Sequence, residues 1–263
     1  MDLQKLDRYA KNLLKEAGNK IRSSFSSELS VETKADANDL VTNIDKEIEQ
    51  FFIHSIKNNY PDHLILGEEG FGDELKTLDG TIWMLDPIDG TMNFIHQKRN
   101  FAISLGIFHE GEGILGYIYD VVLDELYSAQ KGYGAYLNDE RIPLLEKTTI
   151  KEAVIGMNAS WVVPNDYIEH DGMVQLVKNV RGIRSYGSAA LELAYVSTGR
   201  IDAYMSMRLS PWDVAGGMII AREVGAISTN LNGENLKLLG QDTFIVARES
   251  LHDQIIKNYI RLK

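Results

Sequence analysis

The stretch Trp83-Met84-Leu85-Asp86-Pro87-Ile88-Asp89-Gly90-Thr91 constrains this chain more than any other. An apolar run of strand character delivers a carboxylate at its C-terminal end, Pro87 removes a backbone donor, and Gly90 permits a sharp reversal. Asp86 and Asp89 can therefore converge on one point, although turns also recruit Asp, Pro and Gly for purely local reasons. A buried strand seldom ends in so dense an acidic cluster without a partner for the charge. Two further acidic stretches stand out. Gly67-Glu68-Glu69-Gly70 follows the apolar run HLIL and also fits an ordinary solvated turn. Ser210-Pro211-Trp212-Asp213 carries Ser at a cap, Pro at the first helical position and an acid three residues after the Ser, which is a capping-box signature. Thr42-Asn43-Ile44-Asp45 has the same shape, so both acids fit helix caps as readily as functional groups.

Composition narrows what the partner for this charge can be. With no cysteine, the chain has no thiolate zinc site, disulfide framework or cysteine nucleophile, so a metal must be held by oxygen or imidazole. The six histidines form no close pair of the kind metal sites favour. A formal charge of −11 argues against a surface that tracks nucleic-acid phosphates, because that affinity comes from lysine and arginine displacing counterions. An anionic substrate would need something positive between itself and the carboxylates, and a divalent cation meets that need. No apolar run approaches the roughly 20 residues that span a bilayer, and the N-terminus alternates charge with Leu, unlike a secretory signal. A cytoplasmic protein without a membrane or nucleic-acid partner is expected.

Along the 263 residues the texture changes twice. Leu3, Leu6, Ala10, Leu13, Leu14, Ala17 and Ile21 recur at helical spacing over residues 2–25, and Asn43 to Asn59 repeats the pattern until Tyr60 and Pro61 end it. From His63 follow short apolar runs, HLIL, TIWML, FAISLGIF, GILGYIYD, ELYSAQ and GAYL, which read as strands. Several are continuous rather than alternating, so part of this sheet should be covered on both faces, with the first two helices on one of them. Past Pro143 strand and helix alternate: AVIGMN, a helix over Asn165 to Asn179, RGIRSY, a helix over SAALELAYVSTG, DAYMSM, a helix over PWDVAGGMIIAREVG, TFIVAR and a last helix from Ser250. The pattern predicts an α+β N-terminal half, residues 1–145, and an α/β C-terminal half, residues 146–263.

GEEG, WMLDPIDGT and WDVAGG, in that order and with DLVTNID upstream, resemble the inositol monophosphatases and their sugar and nucleotide phosphatase relatives. The motifs run from Lys34 to Gly225, and the element order extends the likeness over nearly the whole chain. The resemblance implies a layered αβαβα sandwich and a Mg²⁺-dependent, lithium-sensitive hydrolase of phosphate monoesters, working as a homodimer. It implies that Glu68, Asp86 and the carbonyl of Ile88 hold one Mg²⁺, that Asp86, Asp89 and Asp213 hold a second, and that Glu69 lies close to a third, weaker site. Asp45 and Thr91 would orient the attacking water, with Lys34 and Thr42 in matching positions nearby. Oxygen ligands are what Mg²⁺ prefers, and a bridging Asp86 would keep two cations about 3.5 to 4 Å apart.

On the substrate side, the phosphoryl group would meet backbone N–H groups around Gly90 and Thr91, beside Asp89. Gly187, Ser188 and Ala189 match a family segment that contacts the inositol ring, and they also fit a helix N-terminus with small residues for packing. Ser206 stands where many animal enzymes carry a glutamate that binds an inositol hydroxyl. Loss of that acceptor opens broader sugar-phosphate, fructose 1,6-bisphosphate or NADP(H) 2′-phosphate hydrolysis as an alternative. The D-x-D-x-T motif of the haloacid dehalogenase type fits less well, because Asp86 and Asp89 are three apart with Pro87 between. A catalytically silent regulatory or RNA-associated protein on the same fold is the remaining rival, disfavoured by the presence of every expected ligand and by the net charge.

Overall fold

A computed structural model describes residues 1–26, 29–33 and 40–263; Lys34 lies outside the described residues. Two amphipathic helices open the chain, α1 (Leu3–Ser24) and α2 (Asn43–Asn59), joined through a short antiparallel pair, β1 (Val31–Thr33) and β2 (Leu40–Thr42). There follow β3 (Leu64–Gly67), β4 (Thr81–Asp89), α3 (Thr91–Gln97), β5 (Ala102–His109), β6 (Glu112–Asp120), β7 (Glu125–Gln130), β8 (Gly134–Leu137) and β9 (Glu140–Arg141). These strands lie side by side in chain order as one seven-stranded sheet, antiparallel except for the parallel pair β3–β4.

The remainder comprises β10 (Val154–Gly156), α4 (His170–Asn179), β11 (Gly182–Arg184), α5 (Ala189–Ser197), β12 (Ala203–Leu209), α6 (Pro211–Glu223), β13 (Ala226–Thr229), β14 (Asp242–Arg248) and α7 (Glu249–Tyr259). Its five strands order as β11-β10-β12-β14-β13, with β14 antiparallel to both neighbours, so this sheet is mixed.

Side-chain alternation sorts these elements into five layers. Every residue of β4 is buried, yet Trp83 and Leu85 pack with Leu14, Ile48 and Phe52 of α1 and α2, while Ile82 and Met84 join Leu191, Val214 and Ile219 of α5 and α6. Successive strand side chains point to opposite faces, so a continuous apolar run marks a sheet covered on both. The second sheet repeats the device: Phe244 and Val246 face α5 and α6, and Ile245 and Ala247 face Met173 of α4 and Leu251 of α7. The result is a layered αβαβα sandwich. The central helix α5 is buried at all nine positions, as a helix between two sheets must be.

Two sequence expectations shift. The helix expected from Asn165 begins only at His170, because the Asn165 side chain accepts from the N–H groups of Tyr167 and Ile168 at 2.9 and 3.0 Å and closes a turn instead. Ile168 then bridges to Leu262 near the C-terminus. Trp83, Trp161 and Trp212 read from the sequence most simply as core aromatics, and only Trp83 is fully enclosed; Trp161 lies in a short 3₁₀ turn and Trp212 at the first turn of α6, both half-buried.

Candidate metal centre

Asp86 and Asp89 sit at the C-terminal end of β4, where the pairing with β5 shifts: Asp86 opposes Ser104 and Asp89 opposes Ala102. Three steps on one strand match two on the other, so the strand carries one extra residue. In a regular strand, positions three apart face opposite ways; the bulge at Pro87 removes that parity and turns both acids to one side. Pro87 is tolerated there because a bulge leaves a backbone group out of the ladder. The Asp86 carboxylate accepts from the N–H of Ile88 at 2.9 Å.

Asp213 reaches the same point from α6. It accepts from the N–H of Ser210 at 2.8 Å and thereby caps its own helix, as the sequence allowed. The helix lies close against the first sheet: a Cβ on Gly216 would come within 2.4 Å of the Tyr117 carbonyl, and one on Gly116 within 2.3 Å of the Gly216 carbonyl. The Ser104 hydroxyl donates to the Trp212 carbonyl at 2.9 Å and pins the start of α6 over β5. One carboxylate oxygen from each of Asp86, Asp89 and Asp213 lies within 4.8 Å of the others, and the first two residues are 2% and 8% exposed.

Glu68 stands beside this trio, close enough to Asp86 to share a hydrogen bond, on a loop whose Glu68 N–H donates to the Leu85 carbonyl at 3.3 Å. Burial pushes the Asp86 carboxyl well above its usual range, and the neighbouring charges of Glu68, Asp89 and Asp213 push the same way. Asp89 is raised to about 6, again chiefly by burial, although the Ser188 hydroxyl at 2.5 Å and the Ala190 N–H at 2.7 Å pull it back. Holding these buried, mutually repelling carboxylates together is costly without a counter-charge, and an all-oxygen donor set suits a hard divalent ion.

Asp45 is wholly buried at the start of α2. Its Oδ2 accepts from the Thr42 N–H at 2.9 Å and from the Thr42 hydroxyl, which completes a capping box. Its Oδ1 lies 3.2 Å from the Thr91 hydroxyl, itself 3.1 Å from the Ile88 carbonyl. Burial raises the Asp45 carboxyl, against the hydrogen bonds of Thr42.

The substrate-side residues come from both halves. Gly90, at φ +98°, heads α3, and a Cβ there would lie 3.1 Å from the Gly187 carbonyl and 3.2 Å from the Ser188 Cβ. Ser188 is the N-cap of α5, accepting from the Leu191 N–H at 3.2 Å while donating to Asp89, so its capping role and its place at the site coincide. Ala189 is 7% exposed beside it. Ser206, at the bulge in β12, is buried and lies 3.4 Å from the Arg208 N–H, with a further side-chain hydrogen bond to Tyr204. Glu69 has its backbone N–H held by Glu49 at 2.7 Å.

Three residues that hold this arrangement carried no motif. Asn93 donates to the carbonyls of Asn100 and Tyr186 at 2.8 and 2.7 Å and ties α3 to the Gly187 turn. Glu49 supports the Glu68 loop; the available signal was an acid among the apolar positions of α2. Glu192 was detectable in the same way, as the one charge in the apolar run SAALELAYVS. It accepts from the Tyr186 N–H at 2.9 Å, and its Oε2 is buried without a hydrogen-bond partner among the described residues.

Burial pushes the Glu192 carboxyl up to about 7, against the N–H groups of Tyr186 and Gly187. A carboxyl whose folded pKa is raised contributes stability at low pH that is lost as pH rises from the unfolded value near 4.3 through about 7. The effect is on the order of 3 kcal/mol. Thermal unfolding of metal-free wild type and Glu192→Gln should therefore diverge between pH 5 and pH 8, with the variant gaining on wild type as pH rises. Parallel pH profiles would show that Glu192 titrates normally.

A layered α/β sandwich that converges buried carboxylates from two halves at strand and helix ends defines a class of fold with an all-oxygen site suited to a hard divalent cation. The model of the inositol monophosphatase family matches residues 2–261. An inositol-1-monophosphatase of Bacillus subtilis is 52% identical over 98% of this chain and 97% of its own length. The crystal structure of inositol monophosphate-bound SaIMPase-II superposes with a TM-score of 0.87 at 39% identity, over 97% of this chain and 93% of the other. An IMPase/NADP phosphatase complexed with Mg²⁺ and phosphate gives a TM-score of 0.90 at 30% identity, over 98% of this chain and 95% of the other. The chain belongs to the inositol monophosphatase family.

Proposed function

We propose that this protein hydrolyses inositol monophosphate by direct attack of water, with Mg²⁺ held by Glu68, Asp86, Asp89, Asp213 and the Ile88 carbonyl. The observation that carries the reading is the convergence of Asp86, Asp89 and Asp213 to within 4.8 Å, where the neighbouring carboxylates add to burial, the larger cause, in raising the Asp86 carboxyl. Divalent cations bound there supply Lewis acidity toward the phosphoryl group and acidify water at neutral pH. The chain's own part is positioning. Asp45 and Thr91 form a fixed acceptor and donor pair that orients the attacking water, with Asp45 Oδ1 able to take its proton. Gly90 and Thr91 present backbone N–H groups at the phosphoryl end, and Gly187, Ser188, Ala189 and Ser206 line the side of the leaving alcohol. Glu69 lies next to a third, weaker cation position. No covalent intermediate is required.

A phosphate-release panel tests the substrate: inositol 1-phosphate, fructose 1,6-bisphosphate, NADP and adenosine 3′,5′-bisphosphate, with and without Mg²⁺. Preference for inositol 1-phosphate is the expected result. Ser206 favours a second reading, a broader or NADP 2′-phosphate specificity, because a hydroxyl at that position offers a weaker acceptor than a carboxylate. NADP turned over faster than inositol 1-phosphate would establish it, and no Mg²⁺-dependent release from any member would favour a silent protein. Mg²⁺ should also raise the melting temperature of the wild type, since a ligand that binds only the folded state stabilises it. An unchanged Tm in saturating Mg²⁺ would contradict the metal site. Two Mg²⁺ per subunit, lithium inhibition, a homodimer, a cytoplasmic location and a boundary between residues 145 and 146 belong to the same reading. Calorimetric stoichiometry, sedimentation and limited proteolysis measure the metal count, oligomer and boundary.

A further inference from the structure

Glu49 is wholly buried on α2, one helical turn beyond Asp45, so the two acids lie on the same face of the helix. Its two oxygens accept from two backbone N–H groups of the loop after β3: Oε2 from Glu69 at 2.7 Å and Oε1 from Phe71 at 2.9 Å. The loop is shaped around this carboxylate. A Cβ on Gly67 would lie 2.5 Å from the Glu49 carboxyl carbon, so only glycine leaves room for it there. Gly70 adopts φ +78°, and a Cβ on Gly72 would come within 2.4 Å of the Ile65 carbonyl. The loop closes where the Asp73 N–H donates to Ile65 at 2.6 Å and the Asp73 side chain accepts from the Ile65 N–H at 2.9 Å. The residue between Gly67 and Glu69 is Glu68.

We propose that Glu49 is a positioning residue for the metal centre, a buried bidentate acceptor that fixes the backbone on which Glu68 is presented toward Asp86. This rests on the reading of Glu68 as a metal ligand. A carboxylate is needed rather than an amide, because Gln offers one acceptor and would set its NH₂ against one of the two N–H donors. Helix α2 then organises both functions of the site, Asp45 toward Thr91 at one turn and Glu49 toward the Glu68 loop at the next. Truncating Glu49 releases the loop and lets Glu68 swing without removing any first ligand. Such supporting contacts typically cost 10- to 100-fold in metal affinity when lost.

The test is Mn²⁺ binding by electron paramagnetic resonance, without substrate, on wild type, Glu49→Gln, Gly67→Ala, Glu68→Gln and Phe52→Leu, with thermal unfolding in chelator alongside. Glu49→Gln is expected to weaken Mn²⁺ by about tenfold. Gly67→Ala, which displaces the same carboxylate by filling its space, should do likewise and keeps the question answerable if Glu49→Gln folds poorly. Phe52→Leu, a packing change on the same helix, should lower Tm and leave Mn²⁺ affinity alone. If Glu68→Gln loses affinity while both loop variants bind as wild type, the positioning role of Glu49 is refuted. If Phe52→Leu weakens Mn²⁺ as much as Glu49→Gln, the effect is general destabilisation and the proposal also falls. If Glu68→Gln itself binds normally, the ligand role of Glu68 fails first and this inference with it.

Discussion

Asp89→Asn is expected to fold, to melt a few degrees higher than wild type in chelator, and to lose about a thousandfold in Mg²⁺-dependent phosphate release. The reason lies in how Asp89 is held. One oxygen, Oδ2, accepts from the Ser188 hydroxyl and the Ala190 N–H, and an amide oxygen in that place keeps both bonds. The exchange therefore falls on the other oxygen, which an NH₂ group replaces. That group repels a cation and cannot ligate it, and the several kcal/mol that a metal contributes to the transition state correspond to about three orders of magnitude. The stability gain comes from the same burial that raises the Asp89 pKa to about 6. Its folded pKa lies above the unfolded value, so without metal the ionised form destabilises the fold at pH 8, and the neutral amide removes that cost. Activity assays with titrated Mg²⁺, paired with Tm in chelator and in Mg²⁺, check both halves. Undiminished hydrolysis by this variant would sink the two-metal scheme.

The second large effect concerns no charged group. Gly216→Ala should lower Tm by at least about 6 °C, corresponding to roughly 3 kcal/mol in a domain of this size, or prevent folding. The added methyl would sit 2.4 Å from the Tyr117 carbonyl and 2.7 Å from the Leu105 carbonyl, both backbone atoms of strands central to the first sheet. Neither can move without shifting the sheet. Helix α6 must instead rise off it, carrying Asp213 away from Asp86 and Asp89. Gly217→Ala is the matched comparison: its methyl meets Cβ and Cδ2 of Leu193, both at 2.6 Å, so a rotamer change relieves part of the clash and a shift of α5 the rest, and the loss should be smaller than for Gly216→Ala without vanishing. Thermal unfolding of the two variants separates the cases; equal small losses would mean that α6 does not depend on close backbone approach.

Much of this architecture was legible because it is written in local periodicity. α1 and α2 follow from apolar residues at spacings of three and four, and α2 runs over the predicted residues Asn43 to Asn59. The six apolar runs after His63 became β3 to β8 because each is short and closed by turn residues. The late start of α4 escaped, since an Asn that begins a turn and an Asn that begins a helix look alike until the backbone around it is known. The short strand β13 and the pair β1–β2 also escaped, being too brief to show a period.

The site divides in the same way. Asp86 and Asp89 stood out as an apolar run ending in acid, and the Asp-Pro-x-Asp spacing carried the hint of a bulge without stating it. From local sequence Asp213 and Asp45 fitted caps as readily as functional groups, and only the family resemblance gave them roles at the site. Both caps exist, and it is tertiary packing that also brings Asp213 to Asp86 and Asp45 to Thr91.

Glu49 and Glu192 mark the limit. Each appears in the sequence merely as an acid in an apolar stretch, because a partner 20 residues away along the chain, as Glu69 is from Glu49, leaves no local trace. The sequence by itself determined the element order, the double covering of the first sheet and the acidity at the end of β4, since these depend on neighbours within a few residues. Only the tertiary structure decided which acids share one point, which serve to hold a loop, and how closely α6 approaches the sheet, because those outcomes depend on contacts between elements far apart in the chain.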